Sequence, residues 1–221
     1  MTVDGKITTK NFSPIDFTSR EDKAHLLQQR ALGDAVLMGY GTLKHDNVRL
    51  GVPNPAARAG RIKRGQTAAP LRVIVSNEGR IDPALKVFNA DPEKTGPIVI
   101  FSTTRMPLRV QKILREKATL HLSASRTVDL AWMLLQLRRD YGVRSVACEG
   151  GATLFRALLE QDLVDQLNLT IAPYLFGGAN APTLTGLSKD FLPRSVHCAL
   201  VDVRVVGQEC FLTYRIKHKR R

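Results

Sequence analysis

The sequence predicts an α/β fold: a mostly parallel central sheet with helices on both faces and an antiparallel ribbon at its C-terminal edge. Three observations carry this. Short, nearly continuous apolar runs alternate with amphipathic segments, the pattern of parallel strands covered by helices. Four of those runs end in small, polar or glycine residues. The last two strand-like runs, 196–206 and 210–216, are separated only by Gly207-Gln208, which suits a hairpin turn.

Taken in order, a helix is predicted to begin near Ser19, where Ser19 and Asp22 resemble a capping box. Ala24, Leu27 and Ala31 recur on one face, and Gly33 ends the helix. Residues 35–38 (AVLM) form a buried strand, followed by a turn containing Gly39 and Gly41. The Pro-, Gly-, Ala- and Arg-rich stretch 51–70 lacks periodicity and reads as a long, mobile surface loop. Residues 71–75 and 97–101 are strands, the first followed by Ser76 and Asn77, the second by Ser102, Thr103 and Thr104. Amphipathic helices are expected over 107–117 and 128–141. A strand over 144–148 runs into Glu149-Gly150-Gly151, and a helix over 152–161 follows at once. A strand over 166–172 precedes the Gly- and Pro-containing stretch 174–193.

Composition narrows the class. The 221 residues suit one domain, and 43% hydrophobic with 24% charged residues exclude a disordered or fibrous chain. The longest nearly apolar stretch, 130–137, is far short of the ~20 residues that span a bilayer. The N-terminus lacks the basic flank and apolar segment of a secretory signal, so the cytoplasm is the expected location. Three cysteines, Cys148, Cys198 and Cys210, without a C-x-x-C pair exclude a disulfide framework and a structural zinc site, and no metal is expected. Cys148 and Cys210 read as small buried hydrophobes. Against 20 acidic residues stand 33 Lys and Arg, a formal charge of +13 that invites an anionic partner. The basic residues at 58–64, 105–117, Arg138, Arg139 and the tail 217–221 form no single block, and aromatic residues are a sparse 6%. Nucleic acid, which such proteins stack on aromatic side chains, therefore stands only as the alternative to a phosphorylated small molecule.

Open parallel sheets bind ligands outside the carboxyl ends of their strands. Those ends carry Gly39, Gly41 and Thr42; Ser76; Thr103 and Thr104; and Gly150 with Gly151, which opens a helix bearing Thr153 in its first turn. Together they are placed to line a nucleotide cleft, because glycine admits a pyrophosphate to the backbone and helix N–H groups point at it.

The strings TVDGKI at 2–7, QRALGDAVLMGYGTLKHDNVRL at 29–50 and CEGGATLFRALLEQDLVDQLNLTIAPYLFGG at 148–178 resemble the reductase domain of riboflavin biosynthesis, the RibD/RibG C-terminal domain family. The resemblance implies a dihydrofolate-reductase-like fold over 1–221. It also implies NADPH-dependent reduction of a phosphoribosylamino-pyrimidine to its ribitylamino form, in the uracil or the diaminopyrimidine series, by a homodimer. It makes Lys6, Asp46 and Glu149 the catalytic candidates: a positioned acid or cation helps to generate and polarise the ring-opened imine that takes the hydride. Thr18, Ser19, Arg30 and Arg49 are the substrate-binding candidates, a guanidinium suiting a sugar phosphate. Ser76, Asn77 and Arg80 follow a strand and are the expected place for a 2′-phosphate, or else a polar turn. The family normally places a strand ahead of the D-G-K motif; with Met1 directly before it, a missing first strand is the expectation. Asp16 stands where many relatives carry tryptophan, and Pro53 where arginine is common. The H-x-E and P-C-x-x-C pair of the deaminase often fused to this domain is absent. The alternatives are a paralogous reductase of another small molecule, or an idle nucleotide- or nucleic-acid-binding protein.

Overall fold

The computed structural model describes residues 1–8, 19–186 and 192–218. The chain gathers into two compact units, His25–Gly150 and Met1–Ala24 with Gly151–Arg221.

The apolar runs of the first unit form β1 (Ala35–Gly39), β2 (Leu71–Ser76), β3 (Ile98–Thr103) and β5 (Val146–Cys148), and β4 (Thr119–Ser123) joins them. All pairs are parallel, in the order β4-β3-β2-β1-β5. A parallel sheet needs cover on both faces, which is why its strands read as continuous hydrophobic runs. Val36, Met38, Ile74, Ile98 and Ile100 form one buried cluster with Leu43 of α2 (Tyr40–Asp46) and Leu114 of α5 (Leu108–Arg115). Each such side chain contributes about 1.5–3 kcal/mol on burial. Elsewhere in this unit, Phe101 meets Trp132 of α6 (Leu130–Tyr141) edge on, with ring centroids 5.7 Å apart, and stacks on His121 of β4 at 4.7 Å.

Two expectations change here. The turn expected after β1 is the first turn of α2, which starts directly at Tyr40. The expected loop 51–70 contains α3 (Pro55–Lys63), capped by Asn54, whose Oδ1 accepts from the Ala56 N–H at 2.8 Å, with Pro55 in the first turn. The buried residue of α3 is Arg61, fully enclosed, whose guanidinium donates to the carbonyls of Ala31 (3.0 Å), Gly33 (2.5 Å) and Thr67 (2.9 Å). Arg64 adds a bond to Ala31 O at 2.8 Å. These arginines satisfy the last carbonyls of α1 (Arg20–Leu32), and Arg58 binds the carbonyls of Val52 and Pro53. The basic cluster at 58–64 is thus largely committed to backbone.

In the other unit, β6 (Gln166–Ile171), β7 (Cys198–Val206) and β8 (Glu209–Ile216) form a separate antiparallel sheet in the order β6-β8-β7. The predicted hairpin at Gly207-Gln208 is present between β7 and β8. Its second strand pairs along Gln166–Ile171, so the expected edge ribbon is, with β6, a three-stranded sheet of its own. The N-terminal residues run beside the segment after β6: Thr2 bridges to Ala172, and Lys6 to Thr183. Helix α7 (Ala152–Glu160) completes the unit. Cys148 is exposed and Cys210 half-buried, against the buried pair expected; Cys148 ends an edge strand with a neighbour on one side only. Among the described residues no helix is long and apolar enough to cross a membrane.

Candidate active site

From β1 the chain steps outward through β2, β3 and β4, then returns to the opposite side of β1 for β5. The direction of winding reverses between β1 and β5, and open α/β sheets bind ligands outside the carboxyl ends of the strands at such a point. Here the Gly39 N–H donates to the Gly150 carbonyl at 2.8 Å and the Glu149 N–H to the Leu37 carbonyl at 2.9 Å. Gly150 has φ +111°, a conformation closed to side chains, yet a Cβ there would meet nothing within 4 Å. Backbone geometry, not crowding, demands this glycine. Gly151 starts α7 with no side-chain cap, which leaves first-turn N–H groups, Thr153 among the residues of that turn, without a side-chain acceptor. Gly39 likewise starts α2 without a cap; Gly41 is exposed and Thr42 half-buried in its first turn.

The hydroxyls at the ends of β2 and β3 brace the loop after β2. Ser76 Oγ accepts from the Gly79 N–H at 3.1 Å, Ser102 donates to Ser76 O at 2.6 Å, and Thr103 donates to Asn77 O at 2.7 Å. Ser76 and Thr103 are therefore buried and occupied, while Thr104 and Arg80 are exposed beside them. Arg105 donates to the carbonyls of Asn77 (3.3 Å) and Arg126 (2.9 Å), which holds an exposed guanidinium over the end of β2. Sequence reasoning placed Arg105 in the basic helical stretch; its position two residues beyond the end of β3 was the available signal.

Glu149 and Arg30 were expected in separate roles, and the structure joins them. Arg30 donates from Nε to Glu149 Oε1 at 2.6 Å and from Nη2 to Oε2 at 2.5 Å, with side chains only 10% and 6% exposed. Its Nη1 donates to the Gly51 carbonyl at 2.9 Å. Arg30 is thus an enclosed partner of Glu149, not an open cation. Arg49 is exposed, and among the described residues its guanidinium has no partner. Asp46 lies in the last turn of α2. Desolvation by the surrounding protein pushes its carboxyl above the ordinary carboxylate range, with His45 opposing. Burial likewise pulls the Arg72 guanidinium of β2 down to about 10; its bonds run to the carbonyls of Gly96, Val87 and Arg49.

Lys6 and Ser19 belong to the other unit. Lys6 sits in a turn closed by its own N–H donating to Thr2 Oγ1 at 2.8 Å, and its Nζ donates to the Ala181 carbonyl at 3.3 Å. Asp4 of the same turn accepts from the Thr2 hydroxyl and from the N–H groups of Phe176 and Gly177, which hold its carboxyl at about 2. Ser19 is a helix cap: its Oγ accepts from the Asp22 N–H at 3.0 Å and donates to Glu209, and Glu209 Oε1 accepts the Ser19 N–H at 3.0 Å. Glu209 takes the reciprocal role expected of Asp22, and Ser19's hydroxyl is spent on the cap and this buried carboxylate. Thr18 and Asp16 lie outside the described residues.

The family model described as the RibD C-terminal domain matches residues 1–212. The chain belongs to that family. Among curated proteins, the 2,5-diamino-6-ribosylamino-4(3H)-pyrimidinone 5′-phosphate reductase of Archaeoglobus fulgidus is 30% identical over 96% of this chain and 93% of its own length. The protein of the same name from Methanothermobacter thermautotrophicus is 30% identical over 98% and 95%. Relatives called riboflavin biosynthesis protein RibD, such as that of Actinobacillus pleuropneumoniae at 25% identity, cover 97% of this chain with 54% of their own. A pyrimidine reductase-like protein of Corynebacterium diphtheriae has the same fold, with a TM-score of 0.83 at 20% identity over 99% of this chain and 90% of that one. The RibD C-terminal domain family thus accounts for the fold over nearly the whole chain.

Proposed function

We propose that the chain reduces the ribosyl group of 2,5-diamino-6-ribosylamino-4(3H)-pyrimidinone 5′-phosphate to the ribityl group, with NADPH as the reductant. The observation that carries this reading is the end-to-end match to reductases of that name, whereas the RibD relatives match over about half their length.

The residues present fit a dinucleotide. Gly150 offers open backbone at the switch point, which admits a pyrophosphate, and α7 begins with N–H groups that no side chain caps. Arg105 and Thr103 bond to the Asn77 carbonyl just past the end of β2, where an arginine favours a 2′-phosphate over a free hydroxyl, and Arg80 and Thr104 are exposed. When bound, the nicotinamide supplies a hydride. The chain's own residues do the rest. Asp46, whose carboxyl desolvation shifts upward, is the proton donor as the ring-opened imine is reduced to the amine. Lys6 polarises the ribosyl group, and Arg49 takes the phosphate. Glu149 orients the substrate or cofactor with one face of its carboxylate anchored by Arg30. The substrate gains one hydride and one proton, which mass spectrometry of the pyrimidine product reads directly.

The working form is a homodimer. β7 is an edge strand whose Val201, Val203 and Val205 are 57%, 51% and 65% exposed, with Leu200 beside them at 56%. An apolar edge of this kind invites pairing unless it is covered, and a second copy covers it.

A further inference from the structure

Two enclosed guanidinium groups grip the loop after α2 by its carbonyls. Arg72 reaches Arg49 O at 3.3 Å, and Arg30 reaches Gly51 O at 2.9 Å. Between these grips lies Leu50, fully buried with φ +59°, in the left-handed region that side chains other than glycine and asparagine avoid. Asn47, also left-handed at φ +47°, ends α2 and accepts from the Lys86 N–H through Oδ1 at 2.8 Å. A backbone held in costly conformations persists only where its surroundings over-determine it, and such strain gathers at functional segments. This loop follows Asp46 and carries Arg49.

Arg30 joins the loop to Glu149. Three of its five N–H donors are committed in a planar fork, two to the carboxylate and one to Gly51 O, and the side chain is 10% exposed. That leaves little of the group for a sugar phosphate, and lysine, a point charge without the fork, cannot reproduce the arrangement. We propose that Arg30 is a positioning residue: it couples the Glu149 carboxylate at the end of β5 to the backbone of the loop after α2, fixing Asp46 and Arg49 relative to Glu149. The inference rests on the reading that Asp46 and Glu149 serve the reduction, but its structural half stands apart from turnover.

Arg30→Lys and Glu149→Gln are compared with wild type by amide hydrogen exchange and steady-state kinetics. In both variants the amides of 48–52 are expected to exchange roughly 10-fold faster while those of β3 stay unchanged, because local opening is released without global unfolding. In Arg30→Lys, kcat is expected to fall on the order of 100-fold, the scale of a misplaced catalytic geometry, with the KM for the pyrimidine within about 3-fold. Unchanged exchange at 48–52 in both variants overturns the coupling. A raised KM with kcat retained overturns it as well, since that pattern marks a cation binding the substrate directly. If Arg30→Lys does not fold, Glu149→Gln alone decides by the same exchange readout. If wild type turns over no pyrimidine substrate, the functional reading fails, and the exchange experiment still decides whether Arg30 couples the two elements.

Discussion

Two glycines at the switch point separate what the backbone demands from what a ligand demands. Gly150 adopts φ +111°, while Gly41 lies in the first turn of α2 at ordinary helical geometry; a Cβ on either meets nothing within 4 Å. Gly150→Ala therefore costs conformational strain alone, about 1–3 kcal/mol. For a chain of this size that lowers Tm by roughly 2–12 °C, at about 2–4 °C per kcal/mol. Gly41→Ala should do the opposite, because alanine in a helix is favoured over glycine by about 0.5–1 kcal/mol, raising Tm by a few degrees. If the cofactor approaches the start of α2, however, the added methyl weakens its binding even as the fold gains stability. Differential scanning fluorimetry gives the two Tm shifts, and NADPH fluorescence titration gives the two affinities. Gly150→Ala with an unchanged Tm would refute the backbone argument. Gly41→Ala with wild-type affinity for NADPH would remove Gly41 from the cofactor site.

Two other consequences follow from the geometry. Because Asp46's carboxyl lies above its unfolded value, the native state holds that proton more tightly, so its contribution to stability falls as pH rises through the interval between the two values. Asp46→Asn should gain stability relative to wild type above that interval and none below it, and should lose the decline in turnover at higher pH that a proton donor imposes; denaturant titrations and pH–rate profiles check both, and an unaltered profile sinks the proton-donor role. Replacing Val203 and Val205 together by lysine should convert the dimer to a monomer without altering the far-ultraviolet circular dichroism, and sedimentation at several concentrations showing the same mass for both proteins would contradict the β7 interface.

The strands of the parallel sheet were legible because burial on both faces writes itself as uninterrupted apolar runs, as in residues 35–38 and 98–101. The cap at Ser19 and the hairpin at Gly207 were legible for local reasons, the one an acceptor ahead of a helical stripe, the other a glycine between two strands. Helix α3 was not, since the residue it buries is Arg61, and a guanidinium serving carbonyls leaves no hydrophobic period; only Asn54-Pro55 announced it. β4 was hidden because Thr119–Ser123 is a short edge strand of alternating character between two helices. Asp46, Glu149 and the glycines are candidates because motifs single them out. The Arg30–Glu149 fork spans 119 positions, and the Ser19–Glu209 contact spans 190. Neither has a local signature, because only the fold brings the partners together.

Oxidation of NADPH is to be followed with the 2,5-diamino-pyrimidinone ribosylamino 5′-phosphate and its uracil counterpart in parallel, with NADH as the control reductant. The expected result is turnover of the diamino compound with NADPH, slower turnover with NADH, and a product that carries the ribityl chain. No oxidation with either pyrimidine, together with no binding of NADPH, would contradict it.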